Sequence, residues 1–593
     1  MRKAEAVLEV LQKRGETKLP VERLYRQLYK TDHYLKAYAK IYSNKGATTP
    51  GTTEETVDGM SLKRIDKITK KLRLERYKWS PVRRIQIPKK DGRKRPLGLP
   101  TWSDKLLQEV IRSLLEAYYE SIFSERSHGF RPNRGCHTAL TEIQKSWKGT
   151  KWFIEGDIKG CFDNIKHDIL LNIIAERIHD NRIIELIRKL LKAGYIENWK
   201  HGKTLSGTPQ GGVLSPLLSN IYLDKLDKYI EETLIPKYTK GKTRRTNPEY
   251  ERLSSARRRA KDPETKRRIE LQRRGLPSRD PNDPNYRRLR YVRYADDFIL
   301  GFVGPKTEAE EIKDSIRKFL QEELELELSE NKTLITHARN NSARFLGYEI
   351  KVMYENNRLN KKKQRTINGV IWLRIPYDVI ETKCRLFMKN GKIIHRTLLT
   401  TESDYYIVNR FQAEYRGLVQ YYKLAHNIYK LVKLRWTMER SLTGTLANKY
   451  RTTRSKIRAK YKTKYKHSNK KIYDVLEVRI SREKKRDLIA RWGGIPLIRN
   501  PKAILTNTPK ILWAGKGGEL LQRLLADTCE ICETDENIEV HHIKALKKLK
   551  KKGRKQPAWW KVIMAIRRRK TLVVCEVCHI NIHAGRNPYG QEA

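Results

Sequence analysis

Acidic residues are scarce beside basic ones: 68 Asp and Glu stand against 127 Lys and Arg, a formal net charge of +59. With a pI near 10.0, that imbalance disfavours a metabolic enzyme of the cytosol and favours a polyanionic partner, RNA or DNA first. Long apolar runs and amphipathic anchors are missing, which removes an anionic membrane as the alternative polyanion. The start of the chain, Met1-Arg2-Lys3-Ala4-Glu5-Ala6, carries charge where a secretion signal has an apolar core. The protein is therefore expected not to be secreted. Cysteine is sparse as well, seven in 593 residues. Cys136, Cys161 and Cys384 are scattered and the other four lie near the C-terminus, which excludes a disulfide framework and suits a reducing compartment with one metal site. The length accommodates roughly three to five domains.

Against this background two stretches carry chemistry. In the first, β-prone runs flank Tyr294-Ala295-Asp296-Asp297, which predicts a hairpin holding both acids at its tip. Adjacent acids repel, and tolerate each other best with a cation between them. A second predicted strand, Trp152 to Asp157, also ends in an acid. Carboxylates from two strand ends can hold two Mg²⁺ ions against a nucleoside triphosphate. The second stretch is C-terminal: Cys529-x-x-Cys532 and Cys575-x-x-Cys578 suit a four-thiolate zinc site. His541, His542, His579 and His583 interleave with it. His579 and His583, four apart, share a face if helical and could share one ion.

Tyr-Ala-Asp-Asp behind an Asp157-x-x-x-x-Phe162 strand resembles the palm of a reverse transcriptase. Over nearly the whole chain, the motifs fall in the order of a mobile group II intron-encoded protein, which joins a reverse transcriptase, an RNA maturase and an HNH DNA endonuclease. The resemblance implies an α+β protein: right-hand polymerase fingers and palm over 1–355, and an α-helical thumb, or maturase domain X, over 356–455. A basic DNA-binding linker over 456–520 and a zinc-stabilised ββα-metal HNH module over 521–593 would follow.

Site roles follow from the same resemblance. Asp157 and Asp296 hold Mg²⁺ and Asp297 supports the metals or their field. Gly46 to Gly51 and Val57-Asp58-Gly59 resemble the first fingers motif. Val82 to Gly98 predicts a basic hairpin, from which Lys89 (or, one position on, Lys90) and Arg95 close on the triphosphate of the deoxynucleoside triphosphate. Arg131 helps seat the template. Phe162 is the steric gate against a ribose 2′-OH, although a core Phe on a strand face has the same spacing. Gln210 contacts the incoming nucleotide, in a Gly-rich stretch that permits close backbone approach. Lys332 lies near the leaving pyrophosphate, and Phe345-Leu346-Gly347-Tyr348, alternating like a strand, grips the primer end. Tyr415 to Asn427 and Ser441 to Tyr450 belong to the thumb, which binds intron RNA.

The low-apolar insertion from Lys237 to Arg290 reads as a solvated or disordered run that touches phosphates. Residues 454–471 interleave Tyr with cations, as a nucleic-acid linker does. Zn²⁺ is structural at the four cysteines. A divalent cation sits on His541, His579 and His583, with His542 as the base that activates water. The resemblance departs at one place: no Asn lies between His542 and Cys575 to orient the base, where Lys570-Thr571 stand. Asn581 is a weak substitute, and reduced nuclease activity is the consequence expected. The implied partners are intron RNA in a ribonucleoprotein and target DNA, nicked to make a primer. Two other readings share parts of the pattern: an RNA-binding splicing maturase without polymerase activity, and a reverse transcriptase of another retroelement or a defence system. Paired carboxylates speak against the first, because binding RNA does not need them.

Overall fold

The structure, a computed structural model, describes residues 4–586 apart from 45, 89–91, 93, 198–199, 203–206, 208–210, 357, 359, 361–364, 469–470, 483–485, 506–518, 544–559, 562–563 and 565–568. A four-stranded antiparallel sheet lies at the centre, in the order Ile335–His337, Trp152–Asp157, Asp297–Val303, Arg288–Tyr294. Side chains alternate across a strand, and here each face meets a different core. Ile154, Tyr291, Leu300 and Phe302 join one apolar cluster, with the N-terminal helices. Phe153, Val292 and Ile299 join the other, with the C-terminal half of the chain. Two covered faces explain the nearly unbroken apolar run in Asp297–Val303.

On the first face, helix Trp102–Tyr119 is capped by the Thr101 side chain, which accepts from the Asp104 N–H. The expected basic hairpin forms from Val82–Pro88 and Lys94–Leu99, with Tyr195–Glu197 parallel to its first strand. Lys89 and Lys90, at its tip, lie outside the described residues.

Three expectations are corrected. The insertion from Lys237 is solvated, as one expectation had it, and not disordered: it contains two helices, Pro248–Arg259 and Pro263–Gly275, neither with a buried residue. Asn247 and Asp262 cap them, each with proline at the first turn; Glu270 of the second pairs with Arg257 of the first, and within its own helix with Arg273 and Arg274. Caps and ion pairs supply order that apolar periodicity could not reveal. Phe345-Leu346-Gly347-Tyr348 is not a strand but a hairpin turn, Leu346 and Gly347 both having positive φ between Ala343–Phe345 and Tyr348–Val352. The stretch after 456, expected as a linker, forms an antiparallel sheet of Lys462–Lys466, Ile472–Ile480 and Leu488–Gly493. It packs on helix Asp404–Tyr421, with Trp492 against Tyr415 at 5.4 Å between ring centroids. The Gln412 amide both donates to and accepts from the Gly493 backbone.

The C-terminal module pairs Ile538–His542 with Thr571–Cys575 and leads into helix Glu576–Ala584, a ββα unit. Its apolar residues share the first cluster with Val57 and Met60. Among the described residues no helix is long and apolar enough to cross a membrane.

Candidate active sites

Asp157 and Asp297 are direct partners across adjacent strands. Tyr294 and Asp297 close the hairpin, leaving Ala295 and Asp296 as its two-residue loop. The expectation that both acids sit at the tip is thus split: Asp296 is on the turn, Asp297 on the strand facing Asp157. Burial raises the Asp296 carboxyl above its ordinary value, with the Asp157 charge adding and Arg95 opposing. Burial, and then the charges of Asp296 and Asp157, pushes Asp297 up to about 7. Lys332 Nζ stands 2.8 Å from Asp157 Oδ2, and that hydrogen bond raises the lysine. Among the described residues Lys332 and Arg95 are the cations that act on these three carboxylates, whose donor chemistry suits divalent cations. A groove of about 640 Å³ opens here, lined by Asp157, Asp297, Lys332, Phe345 and Leu346.

Sequence reasoning missed what holds this turn. Ala295 has φ +58°, a conformation a hairpin loop usually gives to glycine. Arg293, fully buried, donates from Nη1 to the Ala295 carbonyl at 2.9 Å and from Nε to Asp227 Oδ1 at 2.7 Å. Tyr291 donates its hydroxyl to the same carboxylate at 2.8 Å. Asn220 receives Arg293 Nη1 at 3.2 Å and donates to the Gly129 carbonyl at 2.8 Å. An arginine three residues before an acid pair, between strand residues of the sheet, was the available signal: a charge buried there needs a partner.

Phe162 lies on the short helix Cys161–Asn164 beyond the strand. It is half-buried, its ring edge-on to the exposed Phe130 at 6.3 Å, so it is not a core residue of a strand face. Arg131 is bonded inward, to Glu120 and to the carbonyls of Ser124 and Ser127, and braces its own loop. Gln210 lies outside the described residues. Its neighbour Gly211 has φ +104°, where a Cβ would meet the Gly98 carbonyl at 2.5 Å, so the Gly-rich stretch abuts the basic hairpin.

In the C-terminal module, the thiolates of Cys529, Cys532, Cys575 and Cys578 lie within 4.8 Å of one another. Cys532 Sγ is 3.6 Å from both Cys575 Sγ and Cys578 Sγ, close to the roughly 3.8 Å edge of a tetrahedron with zinc–sulfur bonds of about 2.3 Å. The four sulfurs fit Zn²⁺.

His541, His579 and His583 gather at a second point, joined by Asp58 from the N-terminal region. Strand alternation puts Glu539 on the His541 face, and Glu539 takes His579 Nδ1 at 2.8 Å, the carboxylate partner that metal-binding imidazoles commonly have. Although burial opposes it, hydrogen bonds to Asp58 and Glu539 push His579 up to about 9. Although burial acts to raise the Asp58 carboxyl, bonds from His541 and His579 hold it well below the usual carboxylate range. Burial brings His542 down to about 4, so the ring is neutral at neutral pH. Its Nε2 lies 2.8 Å from the Tyr38 hydroxyl. Thr571, where an orienting Asn was missing, pairs with His542 in register, but its hydroxyl oxygen accepts from Arg523 Nη2.

Comparison with known proteins agrees with this arrangement. Residues 87–350 match the family model of reverse transcriptases (RNA-dependent DNA polymerases). Residues 375–492 match that of type II intron maturases and 529–579 that of AI2M/AI1M-like HNH endonucleases. The group II intron-encoded protein LtrA of Lactococcus lactis subsp. cremoris is 40% identical, over 98% of this chain and 99% of its own. A protein of COX1/OXI3 intron 1 in Saccharomyces cerevisiae is 33% identical over 94% of this chain and 68% of its own. The chain therefore belongs to the group II intron-encoded proteins and unites reverse transcriptase, intron maturase and HNH endonuclease in one polypeptide.

Proposed function

We propose that the chain copies RNA into DNA at Asp157, Asp296 and Asp297, in the palm of a right-hand polymerase. The fingers and palm run to about 355, and the α-helical thumb, or domain X, covers 356–455. The basic 456–520 region contacts DNA, and the zinc-stabilised HNH module occupies 521–593. The observation that carries the polymerase reading is the meeting of Asp157 and Asp297 across two strands, with Asp296 on the adjoining turn. Asp157 and Asp296 would hold Mg²⁺, whose chemistry is to neutralise the triphosphate and ease ionisation of the primer 3′-hydroxyl. Arg95, with Lys89, closes on the triphosphate of the deoxynucleotide. Lys332 exchanges its contact with Asp157 for the leaving pyrophosphate. Phe162 closes the space beside the sugar, and Gln210 touches the nucleotide from the Gly-rich stretch.

In the second site, His541, His579 and His583 would hold a divalent cation and His542 takes the proton of the attacking water. Zn²⁺ on the four cysteines holds that module together. Its target is DNA, nicked to make a primer, in a ribonucleoprotein with intron RNA. The setting is bacterial cytoplasm, at the nucleoid, or an organelle.

The test is Asp296→Ala. DNA synthesis should vanish while intron RNA binding stays close to that of the unmutated protein, since one charge fewer relieves repulsion among clustered acids. Full primer extension by this variant would sink the assignment.

A further inference from the structure

The nuclease cluster is not completed by its own module. Its fourth corner is Asp58, 484 residues before His542 in the chain. Asp58 Oδ2 lies 2.9 Å from His583 Nε2, and Oδ1 lies 3.2 Å from His579 Nε2 and 3.3 Å from His541 Nδ1. The His579 and His583 Nε2 atoms are 3.2 Å apart. Bonds of about 2.1 Å in a tetrahedron put ligand atoms about 3.4 Å from one another, and the four residues each offer one ligand atom within 4.8 Å of the others, near enough to share one ion. His541 adds an independent sign. It is buried, its Nδ1 faces Asp58 at 3.3 Å, and its Nε2 has no hydrogen-bond partner among the described residues. A buried imidazole without a proper partner is costly unless a ligand takes it.

The backbone around Asp58 is part of the same joint. Gly59 N–H donates to the Val540 carbonyl and Val540 N–H to the Met60 carbonyl, both at 3.0 Å, so the N-terminal loop extends the module's two-stranded sheet. Val57, Met60 and Val540 are fully buried there. His542 N–H donates to Asp58 Oδ1 at 2.7 Å. The base itself is engaged: the Tyr38 hydroxyl meets Nε2, and the Tyr38 and Tyr42 rings lie 6.2 and 6.1 Å from the imidazole.

We propose that Asp58 is the fourth ligand of the nuclease cation, and that this joint shuts the HNH module on the N-terminal region until nicking requires it to open. The inference rests on the assignment of His541, His579 and His583 as metal ligands. Its physical basis is coordination number. A catalytic site of this kind keeps a position open for water or phosphate, and Asp58 takes one of the positions that the three histidines leave. In the closed joint Asp58 holds the place that a scissile phosphate would take, and Tyr38 holds the nitrogen that would accept a proton. Cation binding and domain docking are then linked, each strengthening the other.

The test uses the zinc-replete full-length chain carrying Asp296→Ala, so that the polymerase carboxylates contribute little. Mn²⁺ is titrated while hydrogen exchange is followed in peptides covering 57–60 and 538–542. Mn²⁺ should slow exchange in both segments. Asp58→Asn should weaken that Mn²⁺ response by at least about tenfold and loosen both segments, while raising nicking of target DNA at saturating Mn²⁺. Tyr38→Phe keeps the ring and should raise nicking with the Mn²⁺ response intact, which preserves a test if the Asp58 variant misfolds. An Asp58→Asn response equal to that of the parent, while His541→Ala and His583→Ala abolish theirs, would overturn the joint and leave the nuclease site standing. Unchanged Mn²⁺ responses in both histidine variants would instead remove the ligand assignment itself. Nicking that falls in Asp58→Asn at saturating Mn²⁺ would reject the shut state, making Asp58 a working ligand.

Discussion

Arg293 and Asp227 form an ion pair with both side chains fully buried, beneath the turn that presents Asp296. Tyr291 and Asn220 fill the remaining hydrogen-bonding capacity. Removing one partner of such a pair strands a charge in the core, at a cost of about 3–5 kcal/mol. Asp227→Leu should therefore lower the stability of the reverse transcriptase region by that order in chemical denaturation, and DNA synthesis should fall with it. A variant that unfolds like the parent would show that Arg293 finds another counter-charge.

Gly129 sets a second limit on the same turn. A Cβ there would meet the Ala295 nitrogen at 2.3 Å, a backbone atom that cannot swing aside. Gly129→Ala should displace Asp296 and cut primer extension by roughly a hundredfold, the expected scale for a misplacement of about 1 Å. The far-ultraviolet spectrum should not change. Extension at the parent rate would mean that the turn tolerates the shift.

Phe162 is half-buried against Phe130 and not locked in the core. Phe162→Ala should open room for a 2′-OH and raise ribonucleotide incorporation relative to deoxynucleotide by roughly tenfold or more. Single-nucleotide incorporation with matched triphosphates measures the ratio. Unchanged discrimination in a polymerising variant would remove the gate.

His542→Ala should reduce opposite-strand nicking by about 10²–10⁴-fold, the usual share of a general base. Bound zinc should stay at the parent level, because the four thiolates do not depend on this ring. Forward splicing and extension from a supplied primer should persist, and only synthesis needing the nick should fail. One panel of nicking, splicing and extension with and without primer decides the matter. Lost splicing in a zinc-replete, folded variant would contradict the separateness of the activities, and persistent nicking would reject His542 as the base.

Local pattern carried what local physics decides. The Tyr294–Asp297 hairpin and the two Cys-x-x-Cys turns each draw their geometry from a few consecutive residues, so strand propensity and ligand spacing disclosed them, whereas the ββα unit was expected only from the family resemblance. The order of the motifs disclosed the three activities for the same reason. Order in the 248–275 insertion was hidden because it comes from caps and ion pairs instead of an apolar stripe. The sheet over 462–493 was hidden because its first strand alternates Lys with Thr and Tyr, and the apolar partners that seat it lie on a distant helix. Only the tertiary structure brought Asp227 under Arg293 and Asp58 to His541, His579 and His583. No spacing rule joins residues 66, 521 or 525 positions apart. They meet because the sheet must cover both its faces and the module must bury its free strand edge, demands that belong to the folded chain as a whole.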